Sequence, residues 1–410
     1  MTKVHPKRIR PLKAREVRLP LSNPCQPASD VISEWLFVSA AVLTSAPPRP
    51  FLAGFRQAIA SLALLGVTLS ALGQSDLQGN PPRLNTAPPD SSLTVSNRAA
   101  KRDAYKAAIT ALRSDQKSPA VMVELAIELA RDKDLEIRQM AIGALLSVEP
   151  YISPTERASW GKLCGKLFRP MLDDIGLEAR PGEPEMIPQF RASLLGPLGL
   201  AAADPEVLAH FRRIATRQIS STNRWGPEMY GPLFITTVHG DAAWAKQVQK
   251  AYENSNTPDL RARLSHFLIS FRDPALLRAG LDYALTNVVD SREFMTLLLA
   301  GVLKETAAVR FEWLKENFEL VSKRLDPKTL EVVAIDMISA GDARLFAEGE
   351  LFLLDPKRRT PVYERVLEAR KKELAPLFAK RDKYREGLAR ALDKGLKGNL
   401  HETSPSLRNP

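Results

Sequence analysis

A run of short amphipathic segments between residues 257 and 321 most constrains what this chain can fold into. Apolar residues recur there at three- and four-residue spacing, which is typical of helices that bury one face. In the first segment these residues are Leu260, Leu264, Phe267, Leu268 and Phe271. The run predicts four helices. Because one helix pair cannot bury its apolar face alone, consecutive pairs must stack on one another.

Helix-start signals punctuate this run and the sequence around it. Thr257-Pro258 and Asp273-Pro274 each place a capping side chain before a proline that suits the first turn of a helix. Helical patterning is nearly continuous from Asn97 onward. The segment LFITTV at 233–238 is the best strand candidate, although its flanks favour a helix. The sequence therefore predicts an all-α fold, a superhelical stack of antiparallel helix pairs that forms an α-solenoid of the HEAT or armadillo type.

Composition divides the chain into regions. Residues 1–55 form a basic leader that we expect to be disordered, because its prolines interrupt any regular helix. The regions that follow are an apolar segment at 56–75, a proline-rich disordered linker at 76–96, the helical domain at 97–396 and a disordered tail at 397–410. Glycine and proline cluster again at 176–189, which predicts a break between an N-terminal helical lobe and a longer stack.

The apolar segment at 56–75 admits two interpretations. Its uncharged run, Gln57–Ser75, has the length of a signal-peptide core, and Ala71-Leu72-Gly73 fits the small-x-small cleavage pattern. It would then direct secretion to the periplasm or beyond, or anchor the protein in a membrane. However, more residues precede it than a usual charged leader contains. The alternative is a loosely packed apolar helix in a cytoplasmic protein.

The net charge of +11 is unevenly distributed. Residues 1–18 hold seven Lys or Arg and one acidic residue, and residues 357–397 hold fourteen Lys or Arg and six acidic residues, so the rest of the chain is slightly acidic. This is not the uniformly basic surface of a nucleic-acid-binding protein, and no nucleic-acid partner is predicted. The two cysteines, Cys25 and Cys164, do not make a disulfide framework.

Several motifs resemble the all-helical C-terminal domain of the aminopeptidase N-type zinc metallopeptidases, a group that includes the puromycin-sensitive and endoplasmic-reticulum aminopeptidases. The matching stretches are TPDLRARL, FRDPALL with LDYAL, FEWLKENFELV and, at Trp160–Glu185, WGKLCGKLFRPMLDDIGLEARPGEPE followed by Arg191. The resemblance extends from about Asn97 to Leu396. It implies a helical domain that covers the active site of a separate catalytic domain and takes part in selecting peptides by length.

The catalytic motifs of that family are absent from this sequence. A zinc aminopeptidase needs H-E-x-x-H on a helix, where two histidines one turn apart hold the metal, and a Gly-x-Met-Glu-Asn loop. The five histidines are His5, His210, His239, His266 and His401, and no two lie four residues apart. No catalytic, cofactor-binding or metal-binding residue is therefore assigned, and zinc would belong to the family's catalytic domain alone.

Basic residues near the end of the helical domain are the candidates for contact with a peptide or partner chain. They are Arg358, Arg359, Arg370, Lys371 and Lys372. One interpretation is a solvated face. The other is a basic surface that meets an acidic partner or the C-terminal carboxylate of a peptide, since arginine suits bidentate binding of a carboxylate.

Three functional hypotheses follow. In the first, the chain is a non-catalytic C-terminal helical domain of an aminopeptidase N-type metallopeptidase, inactive alone, that caps an active site or binds a peptide or a separate catalytic chain. In the second, it is a helical-repeat scaffold for protein–protein interaction unrelated to proteolysis. In the third, it is an enzyme whose motif is unfamiliar. The sequence favours the first.

Overall fold

A computed structural model of the protein describes residues 91–220, 230–255, 257–286, 288–299 and 303–398, and all regular secondary structure in these ranges is helical. The α-helices are α1 (Ser91–Arg113), α2 (Pro119–Leu129), α3 (Leu135–Leu146), α4 (Pro154–Ile175), α5 (Met186–Leu200), α6 (Pro205–Ile219), α7 (Tyr230–Val238), α8 (Ala242–Glu253), α9 (Pro258–Phe267), α10 (Pro274–Ala284), α11 (Ser291–Leu298), α12 (Ala307–Arg324), α13 (Pro327–Ser339), α14 (Ala343–Leu353) and α15 (Pro361–Lys397). Short 3₁₀ turns lie at Glu149–Tyr151 and Lys304–Thr306. The predicted all-α fold class is confirmed.

Proline starts seven of these helices, as the sequence signals indicated. At α10 the Asp273 carboxylate accepts hydrogen bonds of 2.9 Å from the backbone N–H groups of Ala275 and Leu276. These donors have no partner inside the helix, so the cap satisfies them. Asp204 and Asp326 cap α6 and α13 in the same way. The four helices expected between residues 257 and 321 are α9 to α12, and the candidate strand at 233–238 is part of α7.

Two hydrophobic cores fill the described part of the chain. The N-terminal core takes its buried side chains from α1 to α7, and the C-terminal core takes them from α6 to α14. Leu163 of α4 and Leu194 of α5 are both fully buried in the N-terminal core. The glycine- and proline-rich stretch after α4 is therefore a loop within one core. The predicted break at 176–189 was wrong, because α4 and α5 pack directly against each other across it.

The last helix, α15, belongs to both cores. Near its start Tyr363 and Leu367 are buried in the C-terminal core, and near its end Leu388 and Leu392 are buried in the N-terminal core. It packs against α13 and α14 at one end and against α2 and α4 at the other. The end of the described chain is thereby brought back to its beginning. The superhelical winding of a HEAT-like solenoid stays a prediction.

Lys166 of α4 holds the far end of α15. Its Nζ donates hydrogen bonds to the carbonyl oxygens of Gly395, Leu396 and Gly398 at 3.0, 2.6 and 2.6 Å. The last carbonyls of a helix have no partner within it and carry partial negative charge, so a lysine placed there stabilises the helix end. A side chain more than 200 residues away along the sequence thus completes α15.

No helix within the described ranges has the length and apolar character needed to cross a membrane. The basic leader at 1–55, the apolar segment at 56–75, most of the linker at 76–96 and most of the tail at 397–410 lie outside the described residues. The two interpretations of the 56–75 segment both remain predictions.

Gly280 marks a close approach between α10 and the end of α9. A Cβ added there would lie 1.9 Å from the carbonyl oxygen of Leu268 at the end of α9, and backbone cannot move aside cheaply. We expect Gly280→Ala to lower the free energy of unfolding by about 1–3 kcal/mol or more, as overpacked cores do. Gly387→Ala is the matched control, since the nearest atom is 4.0 Å away, and it should gain up to about 1 kcal/mol from helix propensity. Urea unfolding measures both, and equal effects of the two variants would contradict this packing.

Candidate ligand-binding site

A cavity of about 460 Å³ lies where four separate stretches of the chain meet. The stretches are residues 151–157, 304–308, 341–345 and 378–385. Three of them contain the first residues of helices α4, α12 and α14, so the positive ends of three helix dipoles lie at the cavity. The fourth is the middle of α15. The volume is in the range of ordinary ligand sites.

Four cationic side chains line this cavity, and each stretch except 341–345 supplies at least one. They are Arg157, Lys304, Arg381 and Arg385. Arg157 and Lys304 share one carboxylate, Glu149, with nitrogen–oxygen distances of 2.9 Å for each pair. Burial alone would favour the neutral carboxyl group, but Lys304 and Arg157 outweigh it and hold the pKa of Glu149 below its usual range.

Arg381 is held differently from the other three. Its Nε donates to the carbonyl oxygen of Pro150 at 2.8 Å, and another guanidinium nitrogen donates to that of Gly341 at 3.3 Å. No carboxylate of the described residues lies within ion-pair distance of it. Burial lowers the pKa of Arg381 while more distant carboxylates, Glu149 first, oppose that shift. A guanidinium stays protonated at neutral pH, so Arg381 carries a positive charge that no carboxylate of the described residues pairs with directly.

Acidic residues also lie at the cavity wall, and most of them have local structural roles. Glu156 accepts from the Ser153 N–H at 3.3 Å in the capping box of α4, and Asp342 accepts from the Leu345 N–H at 2.8 Å as the cap of α14. Glu305 pairs with Arg272 at 3.0 Å. Arg385 lies 3.6 Å from Glu156. The cavity thus offers both signs of charge, with Arg381 as its least compensated cation.

The basic residues predicted from the sequence lie elsewhere, and most are engaged. Arg358 donates to the Phe352 carbonyl oxygen at 2.8 Å and lies over the Phe352 ring at 4.0 Å. Arg359 pairs with Glu364. Both residues belong to the loop before α15: Arg358 completes the end of α14, whereas Arg359 pairs with the first turn of α15.

The other three predicted residues occupy successive positions on α15 and therefore point in different directions. Arg370 donates to the Ser339 hydroxyl of α13 at 3.1 Å, and Lys371 pairs with Glu350 of α14 at 2.9 Å. Lys372 pairs with Glu368 of its own helix at 3.2 Å and is exposed. None of the five lines the cavity. Their role in binding a peptide or partner stays a prediction.

Sequence reasoning missed the cavity's own cations. Arg157, Lys304 and Arg381 are separated by more than seventy residues from one another, and none belongs to a local motif. The only available signal was the density of basic residues at 380–385, which lies inside the basic region already counted. Which of those charges turns inward depends on how α15 lies across the two cores.

The histidines and the buried cysteine carry no chemistry of the metallopeptidase kind in the described part of the chain. No group of three or more His, Cys, Asp or Glu side chains there could hold a metal ion. His210 lies 3.1 Å from Glu178, and His266 is buried. Cys164 is fully buried, and burial raises the pKa of its thiol, which keeps it an unreactive packed residue.

The described residues form an all-helical domain. It has a cavity lined by both signs of charge, and none of its described side chains form a metal-binding cluster. Comparison with known proteins gives the family: residues 81–375 match the model of the ERAP1-like C-terminal domain, and the chain belongs to that family. This confirms the resemblance seen in the sequence. Because the match is to the family's C-terminal domain, the catalytic zinc site is not expected in this chain.

One curated relative is Aminopeptidase M1-C of Oryza sativa subsp. japonica. It is 24% identical over 210 residues, a match that covers 49% of this chain and 24% of that protein. The matched region thus spans about a quarter of the relative's length. The similarity supports an aminopeptidase-related helical domain and does not extend to the relative as a whole.

Acid should destabilise the protein through His266. Burial lowers the pKa of His266 to about 4 from its ordinary 6.5. Between pH 4 and pH 6.5, His266 is therefore protonated in the unfolded chain and neutral in the folded chain. The contribution of His266 to the free energy of unfolding is fully present above pH 6.5, and about 3 kcal/mol of it is lost as the pH drops to 4. Urea unfolding at several pH values measures the slope, which should be shallower in His266→Gln. An identical slope in both proteins would contradict the assignment.

Removing the Glu149 carboxylate should leave two neighbouring cations without their shared partner. We expect Glu149→Gln to lower the free energy of unfolding by about 1–3 kcal/mol. Asp393→Asn is the control, because its pairing with Lys397 at 2.6 Å is exposed and should contribute about 0–0.5 kcal/mol. Adding Lys304→Met to Glu149→Gln should restore part of the loss in a double-mutant cycle, and strict additivity would show that the two side chains do not interact.

Proposed function

We propose that this chain acts as the non-catalytic helical domain of an aminopeptidase system, where it binds a peptide and caps the active site of a catalytic chain. Membership of the ERAP1-like C-terminal domain family carries the proposal. The sequence has no H-E-x-x-H motif, so zinc-dependent cleavage would be performed by residues outside it. The domain would contribute positioning of the peptide.

The central cavity is the proposed place of peptide binding. A peptide ends in a carboxylate, and the guanidinium of Arg381 has donors to spare beyond its two carbonyl contacts. The start of α12 has no side-chain cap, and the positive end of its dipole adds favourable partial charge for the same group. The acidic residues of the wall, with Asp382 among them, would meet basic side chains or backbone N–H groups further along the peptide.

Docking to a catalytic chain is the second part of the proposal. The curated relative is about four times as long as the region it shares with this chain, which leaves room there for other domains. Arg358, Arg359, Arg370, Lys371 and Lys372 remain proposed contacts with an acidic partner, since their present ion pairs are mostly at the surface and such pairs contribute little to stability. Lys372 is the most exposed of them.

Binding of a nine-residue peptide with a free C-terminal carboxylate tests the cavity. Calorimetry should show binding at least about tenfold tighter than for the same peptide with a C-terminal amide, because one charge-assisted contact is lost. Arg381→Gln should remove that preference. Lys397→Gln should keep it, because Lys397 lies on the same helix and its partner among the described residues is Asp393. Equal binding of acid and amide would contradict the proposed carboxylate site.

Activity of the purified chain tests the non-catalytic assignment. A fluorogenic aminoacyl substrate should not be hydrolysed by the chain alone, and a zinc chelator should make no difference. Turnover that survives repurification and responds to the chelator would contradict the assignment. Stable association with a protein unrelated to peptidases, together with no peptide binding, would favour the helical scaffold instead.

A further inference from the structure

Helix α15 is anchored at its two ends in different hydrophobic cores. Between these anchors, no side chain from Glu368 to Gly387 is fully buried, although α15 is continuous through this span. Leu374 and Phe378 are partly buried against the C-terminal core, and polar contacts hold the rest of the span. The Tyr384 hydroxyl donates to Asp115 at 2.8 Å, Lys383 pairs with Asp115 at 3.2 Å, and Arg381 reaches the two backbone carbonyls at the cavity.

The span also contains Pro376, which lacks a backbone N–H and leaves one carbonyl of the preceding turn without its helical donor. A helix is weakest at such a point, and kinks concentrate there. The part that follows, residues 377–397, which we call the clasp, is fixed to the N-terminal core by Leu388, Ala391 and Leu392 and by the Lys166 cap. At its start, Phe378 is also partly buried against the C-terminal core.

The clasp supplies part of the proposed peptide site. Phe378, Arg381, Asp382 and Arg385 all line the cavity, and all lie after Pro376. The opposite wall is formed by the starts of α4, α12 and α14. If the clasp left the N-terminal core, two of the four cations would leave with it, so the complete site exists only while the clasp is closed.

The family match adds an independent observation. It ends at residue 375, one residue before Pro376, so the clasp lies outside the part of the chain that the family model describes. The helices that form the opposite wall of the cavity lie inside it. The match to the family therefore does not itself cover the clasp.

From these observations we infer that ligand binding at the cavity is coupled to the position of the clasp. An anionic peptide end that contacts Arg381 and Arg385 on the clasp, and Arg157 and Lys304 on the opposite wall, holds the clasp closed. This rests on the proposed peptide-binding function. A ligand that binds only the closed form shifts the equilibrium between open and closed forms toward the closed one. By the same linkage, a change that loosens the clasp lowers the affinity for the ligand. A residue far from the cavity that fastens the clasp should thus affect binding.

Hydrogen–deuterium exchange of the full chain tests the coupling, with the nine-residue free-acid peptide and its amide as probes. The free acid should slow exchange of the backbone amides of residues 377–397, and the amide should not. Lys166→Met removes the cap on the clasp without touching the cavity, and it should weaken binding of the free acid by at least about fivefold. Gly395→Leu, which would crowd Ile127 and Leu163, should act in the same direction.

Lys397→Met is the matched control, because Lys397 lies on the clasp and its partner in the described part of the chain is Asp393 of the same helix. It should bind as the unaltered protein does. Peptide binding with unchanged exchange at 377–397 and full affinity in Lys166→Met would overturn the coupling and leave the proposed function intact. Absence of binding by either peptide would remove the proposed peptide site, and the coupling with it.

Discussion

The burial of the two ends of α15 in separate cores is the constraint on which the rest of this structure depends. The chain runs from the N-terminal core through α6 and α7 into the C-terminal core, and α15 connects the second core back to the first. The apolar anchors fix where the helix lies. The middle of α15 then lies opposite the starts of α4, α12 and α14, and the cavity lies between them.

The electrostatics of the cavity follow from this arrangement. Helix starts attract negative charge, and here they are partly satisfied by their own caps, such as Glu156 and Asp342. What remains is a half-buried guanidinium, Arg381, bonded to neutral carbonyl groups. Charged groups that are partly withdrawn from water and not paired directly are expensive to maintain, and they are commonly retained where a ligand completes them.

The sequence predicted what is local and missed what is distant. Asp273-Pro274 and Asp326-Pro327 gave helix starts at the right residues, because a cap and the following proline act within one turn. The apolar stripe of α9 to α12 gave the fold class by the same short-range logic. The cavity could not be predicted, because Arg157 and Arg381 meet only through packing of α15 on α4, and a basic cluster in sequence does not reveal which charges turn inward.

The hydrogen bonds from Lys166 to the end of α15, and from Arg381 to Pro150, join residues about 230 positions apart. Contacts of such long range form slowly, since the intervening chain must first be ordered. On the ribosome, the residues that close the cavity are also synthesised after both walls they bridge. The candidate site is therefore complete only after α15 has been made, and the same is true of the parts of both cores that α15 supplies.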